Sequence, residues 1–313
     1  MERILVIGSF MMDLVAKTTR APREGETIIG HSFSQFTGGK GANQAVAAAK
    51  LGSHVTMLGK VGKDSFGDAQ IKSLKSAGVN TEYIIKDDGD STGVGFVTLE
   101  DNGKNRIIII PGANMLLKPT DVTNNEELIK SSDIIILQLE VPLETVYASI
   151  DLAYKYNKTI ILNPAPSADI NNEYLTKVSY FIPNEIETRD FTDIEVVDKE
   201  SAKTAANKLL DLGCSNVLIT MGHRGVYFKN RNEEYFVEAV KVNPVDTTAA
   251  GDAFVGAFAF GLIQELDHYD CLRLANASAA LSVTRMGAQP SLPSLKEVKE
   301  FLTEKKINMG NLI

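Results

Sequence analysis

A doubly wound α/β architecture is predicted by three features of this 313-residue chain. Apolar blocks rich in Ile and Val recur along it, longer segments with helical spacing separate them, and a glycine follows several of those segments directly. Alternation of this kind implies parallel strands joined by crossover helices. Such strands are buried on both faces, so they read as near-continuous apolar runs rather than as every second residue.

Taken in order, strands are expected at Ile4–Gly8, Val55–Gly59, Ile134–Leu139, Thr159–Leu162, Tyr180–Ile182 and Val217–Thr220. Helices are expected at Asn43–Leu51, Phe66–Ala77 and Ser201–Leu212, each stopped by the glycine that follows, Gly52, Gly78 and Gly213, as a left-handed cap. Two stretches, Leu14–Phe36 and Ser91–Pro111, break the alternation and read as strands without helices. Within the second, the runs Gly93–Glu100 and Arg106–Ile110 flank Asp101-Asn102-Gly103, which is a hairpin signal. Strands set apart from a parallel sheet predict a lid over its carboxyl edge, where ligands of such sheets bind. With no internal repeat, low-complexity tract or linker, residues 1–313 read as one domain, with lid segments at about 14–36 and 91–111.

Composition excludes several function classes. Thirty-two Lys and Arg against forty Asp and Glu leave a net charge of −8. That field repels nucleic-acid backbones and anionic membranes, so neither is an expected partner. Hydrophobic residues at 44% over this length bury a core without disulfide or metal staples. Cys214 and Cys271 are distant in sequence and form no Cys-x-x-Cys, so they read as reduced core thiols. The early apolar stretch Ile4–Met12 contains Gly8 and Ser9 and stops at Asp13, too short for a signal segment or membrane span, and a cytoplasmic location is expected.

Common catalytic signatures fail on their context. Each Gly-Lys pair is followed by Gly41, Val61, Asp64 or Asn105, never by Ser or Thr, so there is no P-loop, and no Gly-x-Gly-x-x-Gly follows the first strand. His31, His54, His223 and His268 lack zinc spacing. Gly89-Asp90-Ser91-Thr92-Gly93 matches the hydrolase serine pattern, but a polar turn precedes it and a strand follows, where a nucleophile elbow needs a strand and then a helix.

The segment Val245-Asp246-Thr247-Thr248-Ala249-Ala250-Gly251-Asp252 runs directly into an apolar helix, Ala253–Leu266. Small residues at a helix start expose unpaired N–H groups, and the helix dipole adds positive charge, making an anion cradle. Asp252 alone fits a residue that complements the dipole. An ordinary cap, however, needs only one oxygen side chain, whereas here small residues fill 247–251 between two acids. A carboxylate beside an anion hole suits phosphoryl transfer to an alcohol, in which one group deprotonates the hydroxyl while N–H groups neutralise the phosphoryl oxygens.

At these residues the sequence resembles the ribokinase family of phosphofructokinase-B-type sugar kinases, whose catalytic signature is Asp-Thr-x-x-Ala-Gly-Asp. Gly38-Gly39-Lys40-Gly41-Ala42-Asn43-Gln44 resembles the family's amino-terminal sugar-binding signature. Ser91-Thr92-Gly93, Pro111-Gly112-Ala113-Asn114 and Gly287-Ala288-Gln289-Pro290-Ser291 extend the likeness over about residues 2–303. The resemblance implies a ribokinase-like three-layer α/β/α fold with a mostly parallel sheet and a small β lid. It further implies phosphorylation of D-ribose at the 5-hydroxyl by ATP with Mg²⁺, activation by K⁺, and a homodimer formed through the lid. Related readings are a kinase for deoxyribose, another pentose or a hexose, or a silent sugar- or nucleotide-binding regulator.

Residue by residue, the resemblance makes Asp252 the general base and Ala249, Ala250 and Gly251 the anion hole. Sugar contacts fall to Asp13, Gly39, Lys40, Gly41, Ala42, Asn43 and Glu140, and to position 11. Read without the resemblance, Asp13 fits a strand-end turn, 38–41 a loop and Asn43 an N-cap. Asn184-Glu185-Ile186-Glu187 matches an Asn-x-x-Glu segment that holds phosphate oxygens and the waters of Mg²⁺, although so acidic a stretch also fits a solvated helix start. ATP is expected against Gly251, Asn276 and the run Thr220-Met221-Gly222-His223-Arg224-Gly225, which by itself is a tight turn. The monovalent-cation site falls to Asp246, Thr248, Ser282, Arg285, Gly287 and Ser291. Two positions depart from the pattern. Family members often carry Asn where Met11 stands, and some carry Gly where Ala249 stands; a positive φ at Ala249 costs roughly 1 kcal/mol.

Overall fold

In the computed structural model, which describes residues 3–102 and 104–307, each Ile/Val block becomes a strand. In chain order the strands are β1 (Arg3–Ile7), β2 (Met11–Thr18), β3 (Ser32–Gly38), β4 (His54–Gly62), β5 (Ile84–Asp87), β6 (Val94–Glu100), β7 (Asn105–Ile110), β8 (Ile134–Leu137), β9 (Thr159–Leu162), β10 (Tyr180–Phe181), β11 (Asn216–Thr220), β12 (Gly225–Lys229) and β13 (Glu234–Glu238). Nine of them form a sheet in the order β13-β12-β11-β10-β9-β8-β1-β4-β5. Pairing is parallel from β11 to β5, and β12 and β13 join antiparallel at the edge.

The centre of this sheet is buried on both faces. Ile4 and Val6 pack in one apolar cluster with Phe254, Phe258 and Leu274 of the helices Ala250–Ile263 and His268–Ser282. Leu5 and Ile7 pack in a second cluster with Ile150 and Leu209 of the helices Leu143–Lys155 and Lys199–Asp211. All four β1 residues are at most 1% exposed. At about 1.5–3 kcal/mol for each large apolar side chain removed from water, these two clusters hold the three layers together.

The remaining strands form a second, smaller sheet in the order β3-β2-β6-β7, with β2 and β6 parallel and the outer pairs antiparallel. The β6–β7 pairing runs to Leu99 opposite Asn105, as the hairpin signal predicts, although Gly103 of its turn lies outside the described residues. Strand β2 starts at Met11, so Asp13 is its third residue rather than part of a strand-end turn.

Helix ends follow expectation, with Gly52, Gly78 and Gly213 at φ of +107°, +86° and +109°. Two helix starts do not. The helices Lys40–Lys50 and Ala250–Ile263 each begin three residues before the expected Asn43 and Ala253. Their caps are Gly39 (φ +93°) and Ala249 (φ +61°), which turn the chain into the helix through left-handed backbone without a side-chain hydrogen bond. No capping oxygen marks such a start in the sequence. Asn43 is therefore inside a helix, and its side chain is free for other work.

Cys214 and Cys271 are buried and unbridged, and burial pushes both thiols up to about 12, so they stay protonated. Among the described residues, no helix is long and apolar enough to cross a membrane.

Candidate active site

The carboxyl ends of β8 and β9 meet the start of the Ala250–Ile263 helix through Gln44, which bonds Gln138, Asn163 and Asp252. There the left-handed turn at Ala249 leaves the N–H groups of Gly251 and Asp252 without an acceptor among the described residues. Nothing lies within 4 Å of the place a Cβ on Gly251 would take, so the helix start is open beside these unpaired donors, as an anion site requires. The Asp252 carboxylate is buried directly behind them. Asn43 Nδ2 donates to its Oδ2 at 2.9 Å, and Gln44 Nε2 donates to its Oδ1 at 3.0 Å. Burial raises the Asp252 pKa above the usual carboxylate value, while the Lys40 charge and the two amides pull it back.

Lys40 supplies the positive charge in this cleft. Burial acts to lower its pKa, but Asp252, Glu140 and Glu187 outweigh that and hold it above the usual lysine value. Glu140, just beyond β8, accepts from Ser9 Oγ at 2.5 Å and from the Lys40 N–H at 3.0 Å, which ties the helix start to the loop after β1. The glycines of this motif are needed for close approach. A Cβ on Gly39 would come within 2.6 Å of Met11 N, and one on Gly41 within 2.5 Å of Ser9 N.

Asp13 and Met11 are two residues apart on β2 and so share a face of the small sheet. Asp13 stands opposite Gly95 of β6, and its oxygens approach the Cβ positions of Gly38 and Gly95 at 2.8 and 2.7 Å. Its carboxylate accepts no hydrogen bond among the described residues. Burial, then the charges of Glu140, Asp252 and Asp246, raise its pKa to about 7. Met11 is buried, and its Cγ lies 3.8 Å from the same Gly95 position, so a thioether forms the wall beside the open carboxylate.

Asn184 caps the helix Glu185–Thr192, accepting from the N–H groups of Ile186 and Glu187 at 2.9 Å. Glu187 returns the contact, its Oε2 accepting from the Asn184 N–H at 2.8 Å. Its carboxyl is buried and held above the usual range by that burial, with Lys40 opposing and Asp252 reinforcing, so Glu187 belongs to the same electrostatic cleft. The glycine turn after β11 forms as expected, with Gly222 at φ +51° and Gly225 at +114°. His223 is exposed there, and Arg224 reaches Glu185 at 3.0 Å. The Asn276 amide donates to the Val237 and Glu238 carbonyls and so fixes the end of β13 against Gly225, whose Cβ position lies 2.1 Å from the Val237 carbonyl oxygen.

Asp246 joins two loops. Its Oδ1 accepts from Thr248 N and Oγ1 at 2.9 and 2.6 Å, and its Oδ2 accepts from Gly287 N at 2.9 Å. The Ser282 and Ser291 hydroxyls donate to the carbonyls of Ala279 and Ala288, and Arg285 turns away to Glu297 at 2.8 Å. Arg285 has no acceptor to offer a cation, whereas the two hydroxyl oxygens keep their lone pairs while donating. Among the described residues no group of three or more His, Cys, Asp or Glu is arranged to hold a metal.

A buried carboxylate, an adjacent set of free N–H groups and a lysine in one cleft can deprotonate a hydroxyl and steady an anion beside it. Residues 1–295 match the pfkB family of carbohydrate kinases. The chain belongs to that family. This kinase is 44% identical over 301 residues to a deoxyribokinase from Salmonella typhi, covering 96% of its own length and 98% of the relative's. It is 38% identical over 301 residues to a ribokinase from Staphylococcus aureus strain COL, covering 96% and 99%. The structure of Arabidopsis thaliana ribokinase complexed with ribose and ATP matches it with a TM-score of 0.91 at 32% identity, over 96% and 98% of the two chains. The kinase is thus a ribokinase-type sugar kinase, and the expected α/β fold with a mostly parallel sheet and a smaller second sheet is borne out.

Sequence reasoning missed several groups of the kinase's cleft. Ser9, Gln138 and Asn163 each follow a strand and carry no motif of their own. Gly95, which leaves room at Asp13, reads in isolation as an ordinary strand glycine. Gln44 was within reach, because it adjoins Asn43 in the Gly38–Gln44 motif.

Proposed function

We propose that this kinase transfers the γ-phosphoryl group of ATP to the 5-hydroxyl of a pentose, and that it favours 2-deoxy-D-ribose over D-ribose. In this reading Asp252 takes the hydroxyl proton as the new O–P bond forms, and the Gly251 and Asp252 N–H groups, with Ala249 and Ala250 shaping their turn, neutralise charge on the transferring group. Asp13 accepts from sugar hydroxyls, while Asn43, Glu140 and the backbone of Gly39 to Ala42 line the pocket and Lys40 balances its carboxylates. The observation that carries the sugar choice is Met11. A thioether accepts hydrogen bonds only weakly and donates none, so it strands a sugar hydroxyl placed against it but packs well on a methylene. The identity to a deoxyribokinase supports the same choice. D-ribose is the second reading, favoured by the likeness to ribokinases. ADP release measured across a panel of pentoses and hexoses tests the assignment; a hexose preference overturns the pentose reading, and the absence of sugar-dependent turnover leaves a regulator.

The nucleotide is assigned to Thr220–Gly225, Asn276 and Gly251, next to Asn184 and Glu187. Mg²⁺ bound with ATP would supply charge neutralisation and orientation of the phosphates. Glu187 fits such a cation through water, because it is a buried carboxylate whose protein donors come from Asn184 alone among the described residues. Glu187→Gln is expected to raise the Mg²⁺ concentration for half-maximal rate severalfold with sugar affinity nearly unchanged. A superimposable Mg²⁺ titration removes Glu187 from that role.

For K⁺, the assigned residues are Asp246, Thr248, Ser282, Arg285, Gly287 and Ser291. One carboxylate among backbone carbonyls is a donor set that suits an alkali cation, and Asp246 couples the loop before Ala249 to Gly287. Replacing K⁺ by Na⁺ or Tris at fixed ionic strength is expected to lower activity, and equal rates in the three salts remove the site.

The small sheet, strands β2, β3, β6 and β7, is assigned as a lid on a single domain, and also as a homodimer surface. Phe33, Phe96 and Ile108 are exposed on it, an apolar patch that a second copy would cover. A cytoplasmic location fits an enzyme that uses ATP and keeps Cys214 and Cys271 reduced.

A further inference from the structure

We infer that Gln44 is a positioning residue for Asp252, set in one amide orientation by Asn163 and held there by the Gln138 NH₂. The inference rests on the reading of Asp252 as the general base. Gln44 is fully buried and Gln138 is 1% exposed, so neither amide can turn to water. Gln44 makes three bonds. Its Nε2 donates to Asp252 Oδ1 at 3.0 Å and to Asn163 Oδ1 at 3.1 Å, and its Oε1 accepts from Gln138 Nε2 at 2.7 Å.

The direction of the bonds to Asn163 and Asp252 is fixed from outside. Asn163 Nδ2 donates to the Ile182 carbonyl at 2.8 Å, so the Asn163 oxygen must face Gln44. Gln138 presents its NH₂ to Gln44, and its own Oε1 is left buried without a partner. That oxygen occupies space Gly8 leaves open, since a Cβ there would lie 2.0 Å from it. A flipped Gln44 would place its oxygen against the Asp252 carboxylate and against the Asn163 oxygen. Both contacts would be repulsive, so the ends of β9 and β10 dictate which atom of Gln44 meets the base, and the Gln138 NH₂ then holds the Gln44 oxygen in place.

The consequence is chemical. With Asn43 on Oδ2 and Gln44 on Oδ1, each carboxylate oxygen receives one neutral donor that favours the ionised form. Neither amide can protonate the base, and each oxygen keeps a lone pair. The other charged groups facing Asp252, namely Lys40, Glu140, Asp13 and Glu187, lie outside this amide chain and stay in place when it is altered.

The test is the pH dependence of kcat and kcat/KM in Gln44→Met, with a thermal melt to confirm folding. Loss of a hydrogen bond to a buried charge is expected to move the acid limb up by about one pH unit, tenfold in the ionisation constant. Turnover near neutral pH falls accordingly, while sugar KM stays within about twofold. Gln138→Met, which touches neither Asp252 nor the sugar pocket, is expected to move the limb in the same direction by less. An acid limb that coincides with wild type in Gln44→Met overturns the inference, even if the rate is lower at all pH values. If Gln44→Met does not fold, Gln138→Met decides alone, and an unmoved limb overturns it. Asp252→Asn run in parallel separates the two readings: if that variant stays active, the base assignment fails, and if it is inactive while the limbs stay put, only the role of Gln44 fails.

Discussion

Asp252→Asn is expected to fold and to lose roughly 10²–10⁴ in turnover, the usual size of a general-base contribution. The substitution keeps shape and removes basicity. It also places an NH₂ opposite either Asn43 Nδ2 or Gln44 Nε2, because both neighbours donate to the carboxylate in the native protein. That mismatch costs about 1–3 kcal/mol, partly offset by no longer burying a charge. Sugar affinity measured by calorimetry is expected to change far less than kcat. In the wild type the rate falls as pH drops through the Asp252 pKa, and because burial raises that pKa, the limb lies above the ordinary carboxylate range. Near-wild-type turnover in the purified variant would return Asp252 to the status of a residue that complements a helix dipole.

The second large effect concerns sugar choice. With Met11 in the wall, kcat/KM for 2-deoxyribose is expected to exceed that for ribose. Met11→Asn is expected to swing the ratio toward ribose by roughly ten- to a hundredfold, since gaining or losing a partner for one polar group in a dry pocket is worth about 1–3 kcal/mol. Site geometry favours a clean result. Met11 is packed against the open position at Gly95, and its backbone carbonyl is held by Gln70 Nε2 at 2.6 Å, a bond that does not depend on the side chain. Turnover should survive, because Asp252 and its amides are not in contact with position 11. A wild type that prefers ribose, with a ratio that Met11→Asn leaves unchanged, defeats this account.

What the sequence makes legible is whatever periodicity or capping chemistry writes into neighbouring residues. Strands β1, β8, β9 and β11 are visible because burial on both faces demands unbroken Ile and Val. The strands β12 and β13 are not, because each is five residues long and ends on a charge such as Lys229 or Glu238, and their antiparallel pairing lacks the helix that would have announced them. Helix starts at Lys40 and Ala250 are hidden by backbone caps, and in each case the hidden turn carries the site's free donors or close contacts. Asp252 and the unpaired N–H groups beside it are legible since they occupy one run of eight residues. The amide chain through Gln44, Gln138 and Asn163 is not, because its members are far apart in sequence and meet only where the helix Lys40–Lys50 packs over the ends of the neighbouring parallel strands β8 and β9.

Strand β7 is an edge strand whose sequence, Asn105–Ile110, ends in four consecutive isoleucines, all at least 45% exposed. Edge backbone with apolar side chains on both faces is a template for further strand addition, and six-residue windows of this composition favour stacked cross-β assembly. Arg106 and Pro111 bracket the run, a charge on one side and a residue without an N–H on the other, which is how such segments are held in check. The net charge of −8 keeps copies apart at long range, but at contact distance this edge joins apolar side chains to unpaired backbone, so a charge placed within the four isoleucines is expected to lower self-association at high concentration, as light scattering would show.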